Sequence, residues 1–377
     1  MKTSFLVAAL AASVLAAQAQ WTEGPDLKGA RTGHTSTTLL DRNILVVGGY
    51  DNNGNCLKTA EIYDPNSNVW TATSALTFAR CHHAAVLVDD GTGRVFVTGG
   101  LSDNGTALAS TEFFDPVTNS WTTSPDDDMK VPRAHHASIR LARGDVLVIG
   151  GFDPAVGYLS SVEQFRVDTA TSPWNPVGDL KFARAYHTAT LLPNDRILVV
   201  GGIGNDTLDV SSGELCSNLV YCTWVVSANT LTTAHHGHIA VLLPSGDVLI
   251  AGGLGAGVAL FTSELYDNTH FREIAGELSN PRYEFAAVLL FTGEVLAVGG
   301  RFGPNAADLI DAIEIYNPTQ RRWTRGGLGS AIDTARAGLT AATLPNGVVI
   351  IAGGTAQRQS ALVTTELFDP VPLVKFL

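Results

Sequence analysis

Residues 184–224 read RAYHTATLLPNDRILVVGGIGNDTLDVSSGELCSNLVYCTW and contain one complete copy of a structural repeat. An alternating segment after His187 leads through a polar turn, 193–195, into the apolar run Ile197–Val200, which ends in two glycines. Alternation and short β-branched runs between turn signals predict two strands. A glutamate-containing segment and then Trp224 predict two more. We expect the unit to be a four-stranded antiparallel sheet.

The diglycine recurs seven times, with four successive spacings of 51 residues followed by spacings of 47 and 54. A small sheet cannot bury both of its faces alone, so neighbouring units must stack around an axis. Glycine suits the close backbone approach expected near that axis. The sequence therefore predicts an all-β, seven-bladed β-propeller. The glycine pairs are Gly48-Gly49, Gly99-Gly100, Gly150-Gly151, Gly201-Gly202, Gly252-Gly253, Gly299-Gly300 and Gly353-Gly354.

The two ends of the chain predict how the propeller closes. The seventh repeat has a third strand signal around Glu366, but no tryptophan follows it. The missing fourth strand is present near the start, where Trp21 opens the segment Trp-Thr-Glu-Gly-Pro. We expect Trp21 to complete the last blade, which removes a free sheet edge. The seven repeats fill residues 20–377, which we predict to be a single domain.

Residues 1–19 have the features of a secretory signal peptide. Lys2 is followed by an apolar run and by small residues at 17 and 19, which predicts cleavage before Gln20. The run is too short for a transmembrane anchor. We predict a secreted, extracellular protein (periplasmic or cell-surface in a bacterium) without membrane insertion. Loss of Lys2 changes the formal charge from −12 to −13, and an acidic chain without basic runs is not expected to bind nucleic acid.

The recurring diglycine, the Tyr-Asp-Pro-like turn as at Tyr63-Asp-Pro65 and the tryptophan resemble the kelch repeat. The resemblance covers all of residues 20–377 and implies a propeller. It implies no single activity, because kelch propellers serve as binding platforms, cytoskeletal adaptors, epimerases and copper oxidases.

One face of the predicted propeller is the better candidate for function. We name the four strands of each repeat a to d in chain order. The loops between strands b and c (b–c loops) are long and diverse, whereas the turns between strands a and b (a–b turns) are short. The b–c loops and the junctions from strand d to strand a of the next repeat (d–a junctions) form one face of the propeller, the b–c/d–a face, and variable loops on a rigid scaffold commonly carry binding residues. The candidates from the b–c loops are Tyr50, Asp51, Phe152 and Arg301.

An Arg-x-x-His motif precedes the first strand of most repeats. Two interpretations fit it: a ring of cations that holds an anionic ligand, or structural pairing within the blades with equally repeated glutamates such as Glu214. A specific site should break the symmetry of the repeat, which favours the second interpretation. The motif residues kept as candidates for the ligand-binding face are Arg80, Arg133, Arg184, His235 and Arg282.

Four residues beside this motif do break the symmetry: His82, His135, Tyr186 and His236. Clustered histidines can bind a transition metal. The four lie on different blades, however, so their convergence depends on how far each side chain reaches toward the axis. The alternative is that they are ordinary hydrogen-bonded residues at the opening of the propeller's central channel on this face, which we call the channel mouth.

The pattern Arg-x-Tyr-His at 184–187, followed by an apolar strand and Leu-Pro-x-Asp, resembles part of the galactose oxidase family. That resemblance implies that Tyr186 and His187 are copper ligands. The family's second tyrosine has no equivalent at the corresponding positions of the other repeats, and its second histidine comes from a domain that follows the propeller. Because seven repeats fill residues 20–377, we expect no such domain here.

Four cysteines in an exported chain predict two disulfides. Cys216 and Cys222 flank a turn, and Cys56 and Cys81 are expected on the same face of adjacent blades. Asn104 and Asn205 open Asn-x-Thr sequons in b–c loops, which a eukaryotic host can glycosylate.

The leading functional prediction is a secreted, non-catalytic binding module for an extracellular protein or glycan, with no cofactor. The alternative is a carbohydrate-active enzyme, a copper oxidase or an epimerase, at the channel mouth. Asp51-Asn-Asn-Gly-Asn55 suggests a calcium-binding loop, although its glycine is misplaced for an EF-hand, and Asp126–Asp128 are a second candidate for holding a cation. A solvated acidic loop is the other interpretation of the second segment.

Overall fold

The computed structural model describes residues 20–88, 91–123, 128–167, 173–217, 222–273, 276–305, 307–326, 330–357 and 360–370. These residues form seven four-stranded antiparallel sheets, and the strand order in each is a-b-c-d. The fold prediction is confirmed. Residues 1–19, Asp126 and Asp127 lie outside the described residues.

The two inner strands of each blade are short, and the second is fully buried. Strand a of blades one to seven comprises Thr35–Thr38, Ala84–Leu87, Ala137–Arg140, Thr188–Leu191, Ile239–Leu242, Ala286–Leu289 and Thr340–Thr343. Strand b comprises Ile44–Val47, Val95–Thr98, Val146–Ile149, Ile197–Val200, Val248–Ala251, Val295–Val298 and Val349–Ala352. Strand a of every blade contacts strand a of both neighbours, and blade seven contacts blade one, so the ring is closed.

The outer strands carry the repeated glutamate and the aromatic pair. Strand c comprises Ala60–Asp64, Thr111–Asp115, Val162–Phe165, Gly213–Cys216, Ser263–Tyr266, Glu314–Asn317 and Thr365–Asp369. Strand d comprises Val69–Ala72, Ser120–Thr123, Trp174–Val177, Trp224–Val226, Phe271–Glu273 and Arg322–Arg325 in blades one to six. Two b–c loops contain small hairpins, Phe152–Asp153 with Gly157–Tyr158 and Leu254–Gly255 with Val258–Ala259, and a third contains a 3-10 turn at Asn205–Thr207.

The N-terminal strand completes blade seven as predicted. Gln20–Glu23 pairs antiparallel with Thr365–Asp369, and Trp21 lies opposite Phe368. The two rings pack with centroids 5.0 Å apart, and Trp21 Nε1 donates a hydrogen bond of 2.8 Å to the Ser330 carbonyl. The first strand of the chain thus joins the hydrophobic core between blades six and seven.

The diglycines make the predicted close contacts between blades. A Cβ on Gly48 would lie 2.4 Å from the carbonyl oxygen of Arg80 in the next blade, and one on Gly49 would lie 2.5 Å from the carbonyl oxygen of Thr32. Both glycines also have positive φ, at 58° and 89°. Only glycine meets both demands without strain. No helix among the described residues has the length and apolar character needed to cross a membrane.

Candidate functional site

The repeated arginines lie inside the blades. Arg184 donates to the Glu214 carboxylate at 2.8 Å and to the carbonyl oxygens of Gly201 and Ser212 at 2.7 and 3.0 Å. Glu214 also accepts from the backbone N–H groups of Lys181 and Phe182. The same buried pair recurs as Arg31–Glu61, Arg80–Glu112, Arg133–Glu163, Arg282–Glu314 and Arg336–Glu366.

This geometry corrects part of the predicted binding face. Arg80, Arg133, Arg184 and Arg282 are each 0% exposed, so they cannot meet a ligand at the surface. His235, which replaces the arginine in blade five, is 1% exposed and is removed from the face for the same reason. The structural interpretation of the motif is therefore confirmed, because a buried charge must be paired and hydrogen-bonded.

The repeated histidines are structural as well. His34 Nε2 lies 2.9 Å from the hydroxyl of Thr340 in the preceding blade, and His238 Nε2 lies 2.9 Å from that of Thr188. Burial lowers the pKa of His34 to about 3, with the nearby Arg31 acting in the same direction. These imidazoles are neutral groups that link neighbouring blades.

The position just before the repeated histidine is different, because it faces the channel mouth with left-handed backbone in every blade. Three blades place glycine there (Gly33, Gly237 and Gly338) and four place His82, His135, Tyr186 and Glu284, all at φ between 52° and 64°. Backbone N–H groups at this position donate to the same position of the preceding blade, as from Tyr186 to His135 at 3.0 Å. A non-glycine residue in this conformation costs about 1 kcal/mol, and such strain is typical of functional sites.

Five rings from five blades converge at this mouth and form what we call the aromatic arc: Tyr50, His82, His135, Tyr186 and His236. The centroids of His82 and His135 are 3.9 Å apart, and those of His135 and Tyr186 are 4.0 Å apart. The Tyr186 hydroxyl lies 3.0 Å from His135 Nε2. Tyr50 and His236 lie against the two ends, at 5.1 Å from His82 and 5.9 Å from Tyr186.

Two acidic residues that were not among the predicted site residues complete the mouth. Asp209 Oδ1 lies 2.5 Å from Nδ1 of His236, and its other oxygen accepts from the Ala256 backbone N–H. Across the mouth, half-exposed Glu284 contacts Arg301 Nε at 3.0 Å. Glu284 could have been found from the sequence, since it occupies the same repeat position as Tyr186. Asp209 lies in a variable loop with no repeat equivalent that would have marked it.

Three central rings of the arc, those of His82, His135 and Tyr186, are uncharged near neutral pH. Burial lowers the pKa of His82 to about 4 and that of His135 to about 2, the latter with a contribution from His82. Burial also raises the pKa of Tyr186 to about 12. Near neutral pH these three groups therefore act as uncharged hydrogen-bond donors and acceptors.

The Tyr186–His187 pair does not have the arrangement that the galactose oxidase resemblance implies. Tyr186 is 41% exposed and bonds to His135, whereas His187 is buried in the blade, where its Cε1 would lie 2.9 Å from a Cβ on Gly150. The two side chains thus face different surroundings. Among the described residues, no group of three or more His, Cys, Asp or Glu side chains could hold a metal ion.

The remaining predicted residues have local roles. Asp51 Oδ1 accepts from the backbone N–H groups of Asn53 and Asn55, so this carboxylate organises its own loop. The Phe152 ring packs against Tyr158 at 5.1 Å within the small hairpin of blade three. Among the described residues, the Phe152 ring makes no ring contact with the aromatic arc.

Both predicted disulfides are present. Cys56 and Cys81 connect the b–c loop of blade one to the residue that precedes His82, and Cys216 and Cys222 close a loop in blade four. The first bridge thus holds one end of the arc covalently to the neighbouring blade.

Comparisons with known proteins agree with this architecture. The family described as the KLHDC2/KLHL20/DRC7 Kelch-repeats domain matches residues 14–202. The chain is 27% identical over 194 residues to alpha-scruin of Limulus polyphemus, which covers 49% of this chain and 20% of that protein. It is 26% identical over 266 residues to galactose oxidase of Gibberella zeae, covering 62% of this chain and 37% of that enzyme. The chain therefore spans well under half the length of either relative.

A solved structure described as a novel fungal alcohol oxidase of the AA5 family, in complex with copper, is similar in fold. The TM-score is 0.72, and the match covers 93% of this chain and 75% of the other. At 16% sequence identity, this likeness supports the propeller and nothing finer.

Proposed function

Because this chain belongs to the kelch-repeat family, we propose that its propeller is an extracellular, non-catalytic binding module whose channel mouth holds a neutral glycan. The observation that carries the proposal is the aromatic arc. His82, His135 and Tyr186 occupy a position where three other blades use glycine, although left-handed backbone disfavours them. Side chains kept there against local strain are explained by a ligand that contacts them.

The chemistry of the arc favours a sugar over an ionic ligand. Tyrosine and imidazole rings have flat apolar faces that can pack against the C–H faces of a pyranose, and their edges exchange hydrogen bonds with hydroxyl groups. Glu284 and Arg301, which pair with each other in blade six, add acceptors and donors for further hydroxyls. The neutral His82 and His135 give no attraction to an anion.

The proposal is tested by screening neutral and anionic glycans and then measuring affinity by calorimetry. Tyr186→Gly and His135→Gly are the informative variants, because glycine suits the left-handed backbone and the fold should be retained. We expect at least a tenfold loss of affinity for a neutral glycan. Phe291→Ser is the matched control: it removes a 72% exposed aromatic ring from an a–b turn on the opposite face.

Two outcomes would contradict the proposal. Binding restricted to anionic glycans would show that the uncharged rings of His82, His135 and Tyr186 do not select the ligand. Saturable binding of a purified secreted protein, lost in Tyr186→Gly, with no glycan bound, would assign the mouth to a protein ligand.

A second candidate is a sugar-active enzyme, supported by the Asp209–His236 contact beside Tyr186. A carboxylate that fixes an imidazole near a tyrosine is an arrangement used for proton transfer. Metal analysis, a peroxide assay on sugars and aldehydes, and an epimerisation assay test this function. Turnover that falls strongly in Asp209→Asn would favour the enzyme over the binding module.

A further inference from the structure

Two exposed phenylalanines and two glycosylation sequons occur in the same two blades. The residue two positions before the buried arginine is Phe78 in blade two and Phe182 in blade four, and no other blade has an aromatic residue there. The sequence contains two Asn-x-Thr sequons without proline, at Asn104 and Asn205, in the b–c loops of these same blades. The pairing of a rare aromatic residue with a rare sequon, twice, indicates one shared purpose.

In each of the two blades, the phenylalanine and the asparagine line the same cavity. Phe78 and Asn104 line a cavity of about 290 Å³ between the d–a junction and the b–c loop of blade two. Phe182 and Asn205 line the corresponding cavity of blade four, of about 510 Å³. The two rings are 43% and 47% exposed, so each presents an uncovered apolar face beside the asparagine.

Both phenylalanines are held in place by the core of the blade. The backbone N–H of Phe78 donates to the buried Glu112 carboxylate at 3.2 Å, and that of Phe182 donates to Glu214 at 3.1 Å. These carboxylates are the partners of Arg80 and Arg184. The buried ion pairs of the repeat therefore fix the backbone from which each ring projects.

The sequon of blade two has its asparagine oriented by its own loop. Asn104 Oδ1 accepts from the hydroxyls of Thr106 and Ser102 at 2.7 and 2.6 Å and from the Thr106 N–H at 3.2 Å. Within the described residues its amide nitrogen makes no hydrogen bond, and the side chain is exposed.

From these contacts we propose that Asn104 and Asn205 are N-glycosylated and that the first N-acetylhexosamine of each glycan packs on Phe78 and Phe182, respectively, in these cavities. Each cavity would then hold the first sugar of a covalently attached glycan, at a place separate from the channel mouth. An apolar sugar face on an aromatic face buries surface that both groups otherwise expose to water.

The attachment step is a group transfer without a change in oxidation state. The asparagine amide nitrogen bonds to the anomeric carbon of a lipid-diphosphate-linked oligosaccharide, the bond from that carbon to the phosphate oxygen breaks, and the lipid diphosphate leaves. The amide loses one proton in the exchange. The donor and its transferase belong to the secretory pathway of a eukaryotic host.

The experiment uses the full chain secreted from a eukaryotic host. Mass spectrometry of peptides measures the occupancy of each sequon, and a peptide amidase that cleaves the sugar–asparagine bond measures how fast each glycan is released from the native protein. We expect Phe78→Ala to speed glycan release at Asn104 about tenfold and to leave release at Asn205 unchanged. A tenfold change corresponds to about 1.4 kcal/mol of interaction free energy between the sugar and the ring. Phe182→Ala should have the reciprocal effect.

Each site is thus the matched control of the other within one molecule. Phe78→Leu keeps apolar bulk without the ring and tests whether the aromatic face is required. Secreted protein with empty sequons would overturn the proposal. Occupied sequons whose release rates do not respond to either phenylalanine would also overturn it, since the sugars would then extend into solvent. Both results leave glycan binding at the channel mouth untouched.

Discussion

The Nη2 atom of Arg184 lies 2.8 Å from Oε1 of Glu214, and neither side chain is exposed to solvent. Six blades contain this buried pair, and in each the arginine also donates to the backbone carbonyl of the first glycine after strand b and to that of a residue shortly before strand c. The pair therefore connects three parts of one blade. It also positions the d–a junction, since the same glutamate accepts two backbone N–H groups there.

The first prediction is that Arg184→Met strongly destabilises the protein. Breaking a buried pair leaves an uncompensated carboxylate and costs about 3–5 kcal/mol, measured as the free energy of unfolding in denaturant. Arg272→Met is the control, because Arg272 is 61% exposed and pairs with Asp267 at the surface. Its effect should stay below about 1 kcal/mol, and equal effects of the two variants would contradict the argument.

The second prediction is that His235→Arg stabilises blade five. Among the described residues, Thr262 Oγ1 is buried and has no hydrogen-bond partner, whereas the corresponding hydroxyl in other blades accepts from the arginine, as Ser212 does from Arg184. Both ring nitrogens of His235 are buried and also have no hydrogen-bond partner in the described part of the chain. An arginine supplies donors for this hydroxyl and for Glu264. We expect a gain of about 1–2 kcal/mol in the free energy of unfolding.

His235→Lys is the control for the second prediction. It restores a cation without the planar fork that bonds several acceptors at once. A gain equal to that of arginine would show that charge alone is missing in blade five.

The third prediction is that stability falls steeply in mild acid. Burial lowers the pKa of His34 and of His187 to about 3, and that of His238 lies well below 6.5. Below pH 6.5 the unfolded chain takes up these protons and the folded chain does not. The stability that these neutral histidines contribute is therefore fully present above pH 6.5. It declines as the pH falls toward 3, by about 1.4 kcal/mol per pH unit for each histidine.

The slope of the unfolding free energy against pH, measured between pH 7 and 5, gives the number of protons that the chain takes up when it unfolds. His187→Leu copies Leu339, which occupies this position in blade seven, and should reduce the slope by one proton while keeping the fold. An unchanged slope would mean that His187 does not carry the acid sensitivity assigned to it.

The fourth prediction concerns closure of the ring. Trp21→Ala removes a buried ring that contacts Phe368 and bonds to the Ser330 carbonyl, and should destabilise by about 3–5 kcal/mol. Trp21→Phe should be milder, because blade five uses Phe271 at the equivalent position. Similar losses of thermal stability in the two variants would indicate that the indole hydrogen bond, and not ring packing, holds the closing strand.

The sequence was informative wherever a residue serves the repeat. Seven diglycines, the strand periodicity and the position of Trp21 predicted the number of blades and the closure, and two cysteine pairs were assigned correctly. The binding face was harder to predict. Five of the residues predicted to lie on it are buried in the structure: Arg80, Arg133, Arg184, His235 and Arg282. That prediction was wrong because a sequence pattern does not reveal which way a side chain points at a strand junction.

The propeller could be predicted from the amino-acid sequence, because strand periodicity and glycine spacing are local properties present in each repeat. The channel mouth could be recognised only from the folded structure. Tyr50, His82, His135, Tyr186 and His236 lie on five different blades. The closed ring brings the left-handed positions of His82, His135 and Tyr186 together, and Tyr50 and His236 lie against the two ends of this row. Asp209 joins them from a variable loop. Contacts between residues this far apart depend on the radius and closure of the whole assembly, which no single repeat encodes.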